Sequence, residues 1–445
     1  MKFTRPVMSR RSFLGTSAVV PFAIVSREGL EDYRYRYEHV IGTSLDISVR
    51  AHNEGTARAA EQAIVSEIRR LTDVLSTRDP NSEISRLFNG EETRSRALED
   101  VFSAYDFWER RTFGALSLRP AGPAGPINVD ALGKAYIIDR SVQAARQVSG
   151  AESILLNIGG DIRLSGGGCE IDVTDPASAF DNADPITRVW LEDEAIATSG
   201  TYARGAHLVD PRTGGSVSMI CSATVIARDA VTANALATAA CISGPETGMA
   251  LIESTPHAEA ILVTRAGVVL RSSGFAKRER PRAIRVAAIA DWPAGFRVTM
   301  SLRLLEGTGR GAQYRPYLGV WAEDPANSNK LIRVIAFWAN DPRYYNELSI
   351  LFNRAGRSRD RMHAVARATR PSGKYDLVWD GLDDQMAPVP SGTYRIVVES
   401  HRENGSYGKQ SGLITCAAEA SEVRISGTAN FEPVTVQYGA RTNAV

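Results

Sequence analysis

Residues 33–51 alternate apolar and polar positions on either side of Ile41-Gly42-Thr43, a pattern that predicts a β-hairpin or two strands. Asn53 then predicts a helix cap. Behind it Ala60, Ile64, Ile68, Leu71 and Leu75 recur at helical spacing, giving one apolar stripe. Asp79-Pro80-Asn81-Ser82-Glu83 breaks that helix and starts a short second one ending near Asn89. Helices are predicted over about 97–112 and 131–148, with Pro120, Pro123 and Pro126 marking the loop between them. Ile154–Ile158 reads as a short apolar strand that stops at Gly159-Gly160-Asp161. Further strands surround Ile171–Val173 and Val189–Ala197, and the Ala-rich stretch Ala230–Ile242 reads as a helix. Strands and helices mix without regular β-α alternation, so the expected fold class is α+β rather than doubly wound.

Near residue 272 the pattern changes. Ser272-Ser273-Gly274 and the charged run Lys277-Arg278-Glu279-Arg280 predict a solvated linker over 274–284. Beyond it Val298, Met300, Leu302 and Leu304 alternate with polar residues, as do Ile332, Val334, Ala336 and Trp338, and then Tyr394, Ile396 and Val398. Turn clusters separate these runs, so residues 285–440 read as an all-β sandwich.

The chain has 445 residues, enough for two or three domains. Lys plus Arg number 52 and Asp plus Glu 51, a net charge of +1 that excludes nucleic acid as a partner held through its phosphates. At the N-terminus, Ser9-Arg10-Arg11-Ser12-Phe13-Leu14-Gly15 sets twin arginines before an apolar stretch from Phe13 to Val25. That stretch falls short of the ~20 residues of a membrane span but suits a twin-arginine signal peptide over 1–26. The expected location is the periplasm or the outer face of the cytoplasmic membrane; removal of the signal and retention as an anchor both stay open. Cys169, Cys221, Cys241 and Cys416 form no Cys-x-x-Cys pair, so metal-thiolate and redox-dithiol chemistry are disfavoured and buried free thiols expected. The phosphate loop, the His-Glu-x-x-His helix and the Gly-x-Ser-x-Gly elbow are absent from the sequence.

Several segments are more polar or glycine-rich than packing requires. Gly159-Gly160-Asp161 either lets the backbone approach a ligand or makes a tight turn. Thr198-Ser199-Gly200 and His207-Leu208-Val209-Asp210-Pro211-Arg212-Thr213-Gly214 supply hydroxyls, a His, an Asp and an Arg, which suit a phosphorylated ligand. Asn234 and Thr238 lie four apart on a helix, so their oxygens share a face and form either the start of a Mg²⁺ site or a polar spot.

Taken in order, Ile41-Gly42-Thr43, the stretch Leu75–Leu87, Leu132-Gly133-Lys134-Ala135-Tyr136, Asn157-Ile158-Gly159-Gly160-Asp161, Thr198-Ser199-Gly200, His207–Gly214 and Asn234–Thr238 resemble the FAD:protein FMN transferase (ApbE) family across residues 33–273. The resemblance implies transfer of FMN from FAD, with Mg²⁺, onto a Thr or Ser hydroxyl of an acceptor flavoprotein, with release of AMP. It places flavin contacts at Ile41, Arg78, Ala115, Leu116, Ser117, Asn128, Lys134 and Val209. Metal ligands would be the Ala131 carbonyl, Asn234 and Thr238. His207 and Asp210 would be catalytic, His207 taking the acceptor's proton because imidazole titrates near neutral pH. The sequence departs from the family where Ile41 replaces Met, Arg78 an aromatic, and Ser117, Asn128 and Asn234 an Asp. A module of the same fold that binds FAD or docks a partner without turnover is the competing expectation. Towards the C-terminus, Tyr375–Asp384 with Trp379-Asp380-Gly381, followed by Pro390-Ser391-Gly392-Thr393-Tyr394, resembles immunoglobulin-like sandwiches of exported bacterial proteins. That resemblance implies Trp379 and Tyr394 in a core, a turn rather than a Ca²⁺ site at Asp380, Asp383 and Asp384, and docking to a partner or membrane complex.

Overall fold

The computed structural model describes residues 9–10 and 29–440, apart from 201–207, 281–291 and gaps of one to three residues elsewhere. Two compact units form. Among the described residues the first holds 9–10, 29–177 and 187–280, and the second holds 178–186 and the chain beyond 291.

In the first unit the chain runs β1 (Ser9–Arg10), β2 (Glu31–Val40), β3 (Thr43–Ala51), α1 (Glu54–Leu75), α2 (Glu83–Phe88), α3 (Arg96–Arg111) and α4 (Asp130–Ser149). It continues with β4 (Ser153–Ile158), β5 (Asp161–Ser165), β6 (Gly168–Val173), β7 (Thr187–Glu192), β8 (Ala195–Gly200) and β9 (Ile220–Ala227). Then come α5 (Ala230–Ser243), α6 (Pro245–Glu253), β10 (Glu259–Thr264) and β11 (Val269–Arg271). One antiparallel sheet runs β1-β2-β3-β4-β5-β8-β9-β10-β11, and β6 pairs with β7 apart from it. The expected hairpin, helices and α+β class are all present. The predicted strand over 189–197 is two strands, because Asp193 turns the chain at φ 49°. The sequence reading also missed α6, whose nine residues follow a proline at its first turn.

Local chemistry explains the helices. Asn53 adopts extended backbone and its side chain accepts the Thr56 amide at 2.9 Å, which caps α1. The stripe Ala57, Ala60, Ile64, Ile68 and Leu71 is wholly buried, facing Leu45, Ile47 and Val49 of β3 and Leu156 of β4 in one core. Each such Ile or Leu stabilises the fold by about 1.5–3 kcal/mol. By contrast α5 is buried around most of its circumference, with Ala233, Ala235, Ala237, Ala239 and Ala240 all inaccessible. Its small side chains leave Asn234 and Thr238 as polar groups deep in the unit.

The stretch expected to be a solvated linker is held in place up to Arg280. Phe275 is fully buried, the Trp190 amide donates to the Arg278 carbonyl at 2.8 Å, and Arg278 forks onto Glu194 at 2.6 and 2.9 Å. Arg280 lies over the Trp190 ring at 5.0 Å. The basic run is therefore consumed by β7 and its neighbours, a pairing that alternation of residue types cannot foretell.

The second unit contains β12 (Phe296–Leu304), β13 (Pro316–Glu323), β14 (Leu331–Trp338), α7 (Ser349–Arg354), β15 (Ala366–Arg367), β16 (Gly373–Trp379), β17 (Gly392–Arg402), β18 (Tyr407–Cys416), β19 (Ser421–Ile425) and β20 (Val434–Ala440). Sheets β16-β12-β20-β19 and β15-β14-β13-β17-β18 enclose a core in which Trp292 meets Trp379 and Tyr438 edge-on, both at 5.1 Å. Trp379 and Tyr394 are buried, as expected. The pattern is not purely strand-like, however. A 3₁₀ turn (Pro342–Leu348) and α7 bury Tyr345, Leu348 and Leu351 with Trp321 and Phe337 in a separate cluster. The buried Glu399 carboxylate receives the Ile350 and Leu351 amides at 3.0 and 2.9 Å, and burial raises its pKa.

Residue Asn182 belongs to this unit and acts as a guest strand residue: its Nδ2 donates to the Ile335 and Val378 carbonyls, and its Oδ1 accepts the Val378 amide at 2.9 Å. The acids of the Trp-Asp-Gly loop are spent on backbone amides. Asp380 accepts the Leu382 amide, Asp383 those of Gln385 and Ala387, and Asp384 that of Val334. All four cysteines are free, three of them buried. No helix among the described residues is long and apolar enough to cross a membrane; residues 1–8 and 11–26 of the expected signal peptide lie outside the described residues.

Candidate functional site

The β2–β3 turn is the first piece. Ile41 and Gly42 both take positive φ, 51° and 76°, as a two-residue hairpin between Val40 and Thr43 requires. A β-branched residue in that region is strained, which marks Ile41 as a position held by more than local preference. A Cβ on Gly42 would lie 4.0 Å from an Arg78 guanidinium nitrogen, so Arg78 reaches this turn. Arg78 is exposed, and among the described residues no carboxylate pairs with it. The turn also touches the β4–β5 connection: the Gly159 amide donates to the Ser44 carbonyl at 3.2 Å, and the Asn157 side chain accepts the Gly160 amide at 2.9 Å.

That connection delivers Asp161, 4% exposed, to the centre of the site. Lys134 Nζ lies 2.5 Å from Asp161 Oδ2, and Asn234 Nδ2 donates to the same oxygen at 3.1 Å. Asn234 is 6% exposed, and its Oδ1 takes no donor from the protein. An orphaned buried acceptor costs about 1–3 kcal/mol, so this oxygen is built to face something. One helical turn on, Thr238 Oγ1 sits 3.1 Å from Ser199 Oγ. Asn234 and Thr238, one helical turn apart on α5, offer neutral oxygens of the kind a hard divalent cation takes. Among the described residues no three His, Cys, Asp or Glu cluster as ligands.

A second group surrounds the start of α4. Ala115 and Leu116 are buried, and the Leu116 amide donates to Thr112 Oγ1 at 3.0 Å. Ser117 Oγ donates to Glu109 Oε1 at 2.8 Å, and the Asn128 amide donates to the Leu118 carbonyl at 2.9 Å while its side chain accepts the Asp130 amide. Val209 is exposed on a small hairpin with Ser216. In that hairpin Arg212 forks onto Asp210 at 2.8 Å through two nitrogens, which holds the Asp210 carboxyl below its usual range. The Arg212 stem covers Gly114, where an added Cβ would meet it at 3.5 Å. Asp210 is thus engaged by its neighbour, while His207 lies outside the described residues.

The structure thus joins Lys134, Asp161 and Asn234 directly, and places Ile41 beside Arg78 and Ser117–Leu118 beside Asn128. Sequence reasoning missed Glu109 and undervalued Asp161. The latter stood in plain view in Gly159-Gly160-Asp161, but spacing could not show that it meets Lys134 and Asn234.

The α+β unit thus combines a glycine turn, a buried Lys–Asp pair and a carboxamide oxygen without a donor. Residues 100–262 match the ApbE family, and residues 298–432 match a family described as predicted periplasmic protein (DUF2271). The resemblance to the ApbE family thus lies mainly within the first unit. A FAD:protein FMN transferase of Vibrio cholerae is 33% identical over 120 residues, covering 24% of this chain and 36% of that protein. Another, from Haemophilus influenzae, is 26% identical over 177 residues, covering 36% of this chain and 51% of that protein. The matched part spans between about a third and half of these relatives' length. The solved flavin transferase ApbE from Vibrio cholerae superposes on 56% of this chain and 99% of its own, with 20% identity and a TM-score of 0.47. The ApbE protein of Thermotoga maritima covers 56% and 100%, with 24% identity and a TM-score of 0.48.

Proposed function

We propose that the first unit is an FAD:protein FMN transferase, moving FMN from FAD onto a Thr or Ser hydroxyl of an acceptor flavoprotein and releasing AMP. The observation that carries this reading is the buried Asn234 oxygen without a donor, one turn from Thr238 and beside the Lys134–Asp161 pair, in a segment matching the ApbE family. In the reaction the acceptor oxygen attacks the phosphorus of the FMN half. The bridging bond to AMP breaks, a phosphoester forms, and the hydroxyl proton passes to a base, for which His207 is the candidate. A Mg²⁺ ion, if bound, would neutralise charge on the pyrophosphate; Asn234 Oδ1, Thr238 Oγ1 and the Ala131 carbonyl are the groups that would hold it. Lys134 places a cation at the same point. Ile41, Arg78, the Ala115–Ser117 backbone, Asn128 and Val209 are the flavin and nucleotide contacts, and Asp210 keeps Arg212 over that loop. The description of the second matched family supports a periplasmic site of action, consistent with the twin-arginine signal, and the second unit is suited to docking a partner or membrane complex.

The test is co-expression with a flavoprotein carrying a Thr acceptor site: transfer gives a fluorescent band after denaturing electrophoresis and stoichiometric AMP. No band, with a standard family enzyme labelling the same acceptor, refutes the proposal. A second reading, FAD binding without turnover, draws on the neutral Asn234 carboxamide; it predicts FAD retention without AMP.

A further inference from the structure

We propose that Asp161 is the positioning residue of the candidate cation site, acting through Asn234. A carboxamide is asymmetric: only Oδ1 can ligate a cation, and a 180° flip would present Nδ2 instead. Asp161 removes that freedom. Its Oδ2 accepts from Asn234 Nδ2 at 3.1 Å and is itself held by Lys134 at 2.5 Å, so the amide nitrogen is committed and Oδ1 is left free of donors. Asp161 and Asn234 are both more than nine-tenths buried, so water does not compete for the amide. Lys134 on α4, Asp161 on β5 and Asn234 on α5 thus form a relay across three elements that orients one oxygen. A partner that orients a ligand in this way is typically worth a tenfold to hundredfold change in metal affinity.

The inference rests on the cation site of the proposed transferase. Its test is the affinity for Mn²⁺, read from the free-ion electron paramagnetic resonance signal of the full chain with one equivalent of FAD and corrected for Mn²⁺ bound by free FAD. Asp161→Ala should weaken Mn²⁺ binding at least about tenfold. In an Asn234→Asp background either carboxylate oxygen can ligate, orientation ceases to matter, and the same Asp161→Ala change should cost no more than about twofold. Asp161→Asn keeps the volume and an acceptor for Nδ2; it guards against misfolding and should lose less affinity than the alanine variant. An equal loss in both backgrounds means Asp161 acts through its charge or the fold, and overturns the inference. So does no loss in either, or no Mn²⁺ binding by the parent chain. FMN transfer measured in parallel separates the two ideas: transfer intact with no coupling sinks only the role of Asp161, whereas absent transfer and absent Mn²⁺ binding sink the transferase reading.

Discussion

Gly159→Ala tests the turn that brings Asp161 into the site. Gly159 has φ 59°, and a Cβ there would lie 2.7 Å from Thr43 Oγ1, 2.9 Å from Thr43 Cγ2 and 3.2 Å from Thr43 Cβ. Placing alanine in the left-handed region costs about 1–2 kcal/mol. The overlap adds about 1–3 kcal/mol, since rotating a β-branched side chain only exchanges one γ atom for the other. The expected loss is therefore about 2–5 kcal/mol. Thr43→Ala removes both γ atoms, so the double variant should recover the steric part and retain only the backbone part. The assay is urea unfolding, with hydrogen exchange on α1 and β3 peptides reporting the first unit. A fall in midpoint at constant slope identifies a change in stability. A loss below about 1 kcal/mol for Gly159→Ala refutes the contact geometry, as does the lack of any recovery in the double variant.

Asn182→Ala removes three hydrogen bonds and leaves the Val378 amide without the acceptor it has now, so the second unit should lose about 2–3 kcal/mol, measured by exchange on β14 and β16 peptides. Glu194→Ala takes both partners from Arg278 and should cost about 1–3 kcal/mol; trypsin would then cut at Lys277–Arg280 faster than in the parent chain. Asp139 accepts the Ala230 and Val231 amides at 2.9 and 3.1 Å, yet burial raises its pKa from 3.8 to about 7. The folded state then binds more protons than the unfolded one, so this group's contribution to stability falls as pH rises from about 4 to about 7. Asp139→Asn should flatten that part of the stability–pH curve; an unchanged slope refutes the assignment.

Periodicity made the first unit legible wherever one face of an element is buried. The α1 stripe and its Asn53 cap, the β2–β3 alternation and the Ala-rich α5 each carry their own signal. It failed where tertiary contacts decide. Arg278 reads as a solvated charge until Glu194 is beside it, and Tyr345 with Leu351 reads as strand until a separate cluster needs covering. The site divides the same way. Asn234 and Thr238 share a helical face by arithmetic alone, but Asp161 joins them only because β5 runs beside β8 in the sheet, with α5 packed against that region. Glu109 left no trace at all, because its hydrogen bond to Ser117 spans a helix end and a loop.

The charges of this cluster imply how ligands must assemble on it. Lys134 and Asp161 cancel, and Asn234 and Thr238 are neutral, so the oxygen set meets a divalent cation with no net negative charge of its own. Mg²⁺ sites commonly combine one or two carboxylates with substrate phosphates; among the described residues, the one carboxylate bonded to Asn234, Asp161, is already paired to a lysine. On the proposed transferase reading, the pyrophosphate of FAD supplies the missing charge. Mg²⁺ should bind weakly alone and more tightly once FAD is in place, and linkage requires FAD to gain by the same factor. A factor of about 5–150 is the usual range for such coupling. FAD fluorescence titrated with and without Mg²⁺, set against Mn²⁺ titrated with and without FAD, gives the two factors independently. Asn234→Asp adds a carboxylate and should shrink both together. Equal Mn²⁺ affinity with and without FAD would show that the charge comes from elsewhere, and the oxygen set would then be misassigned.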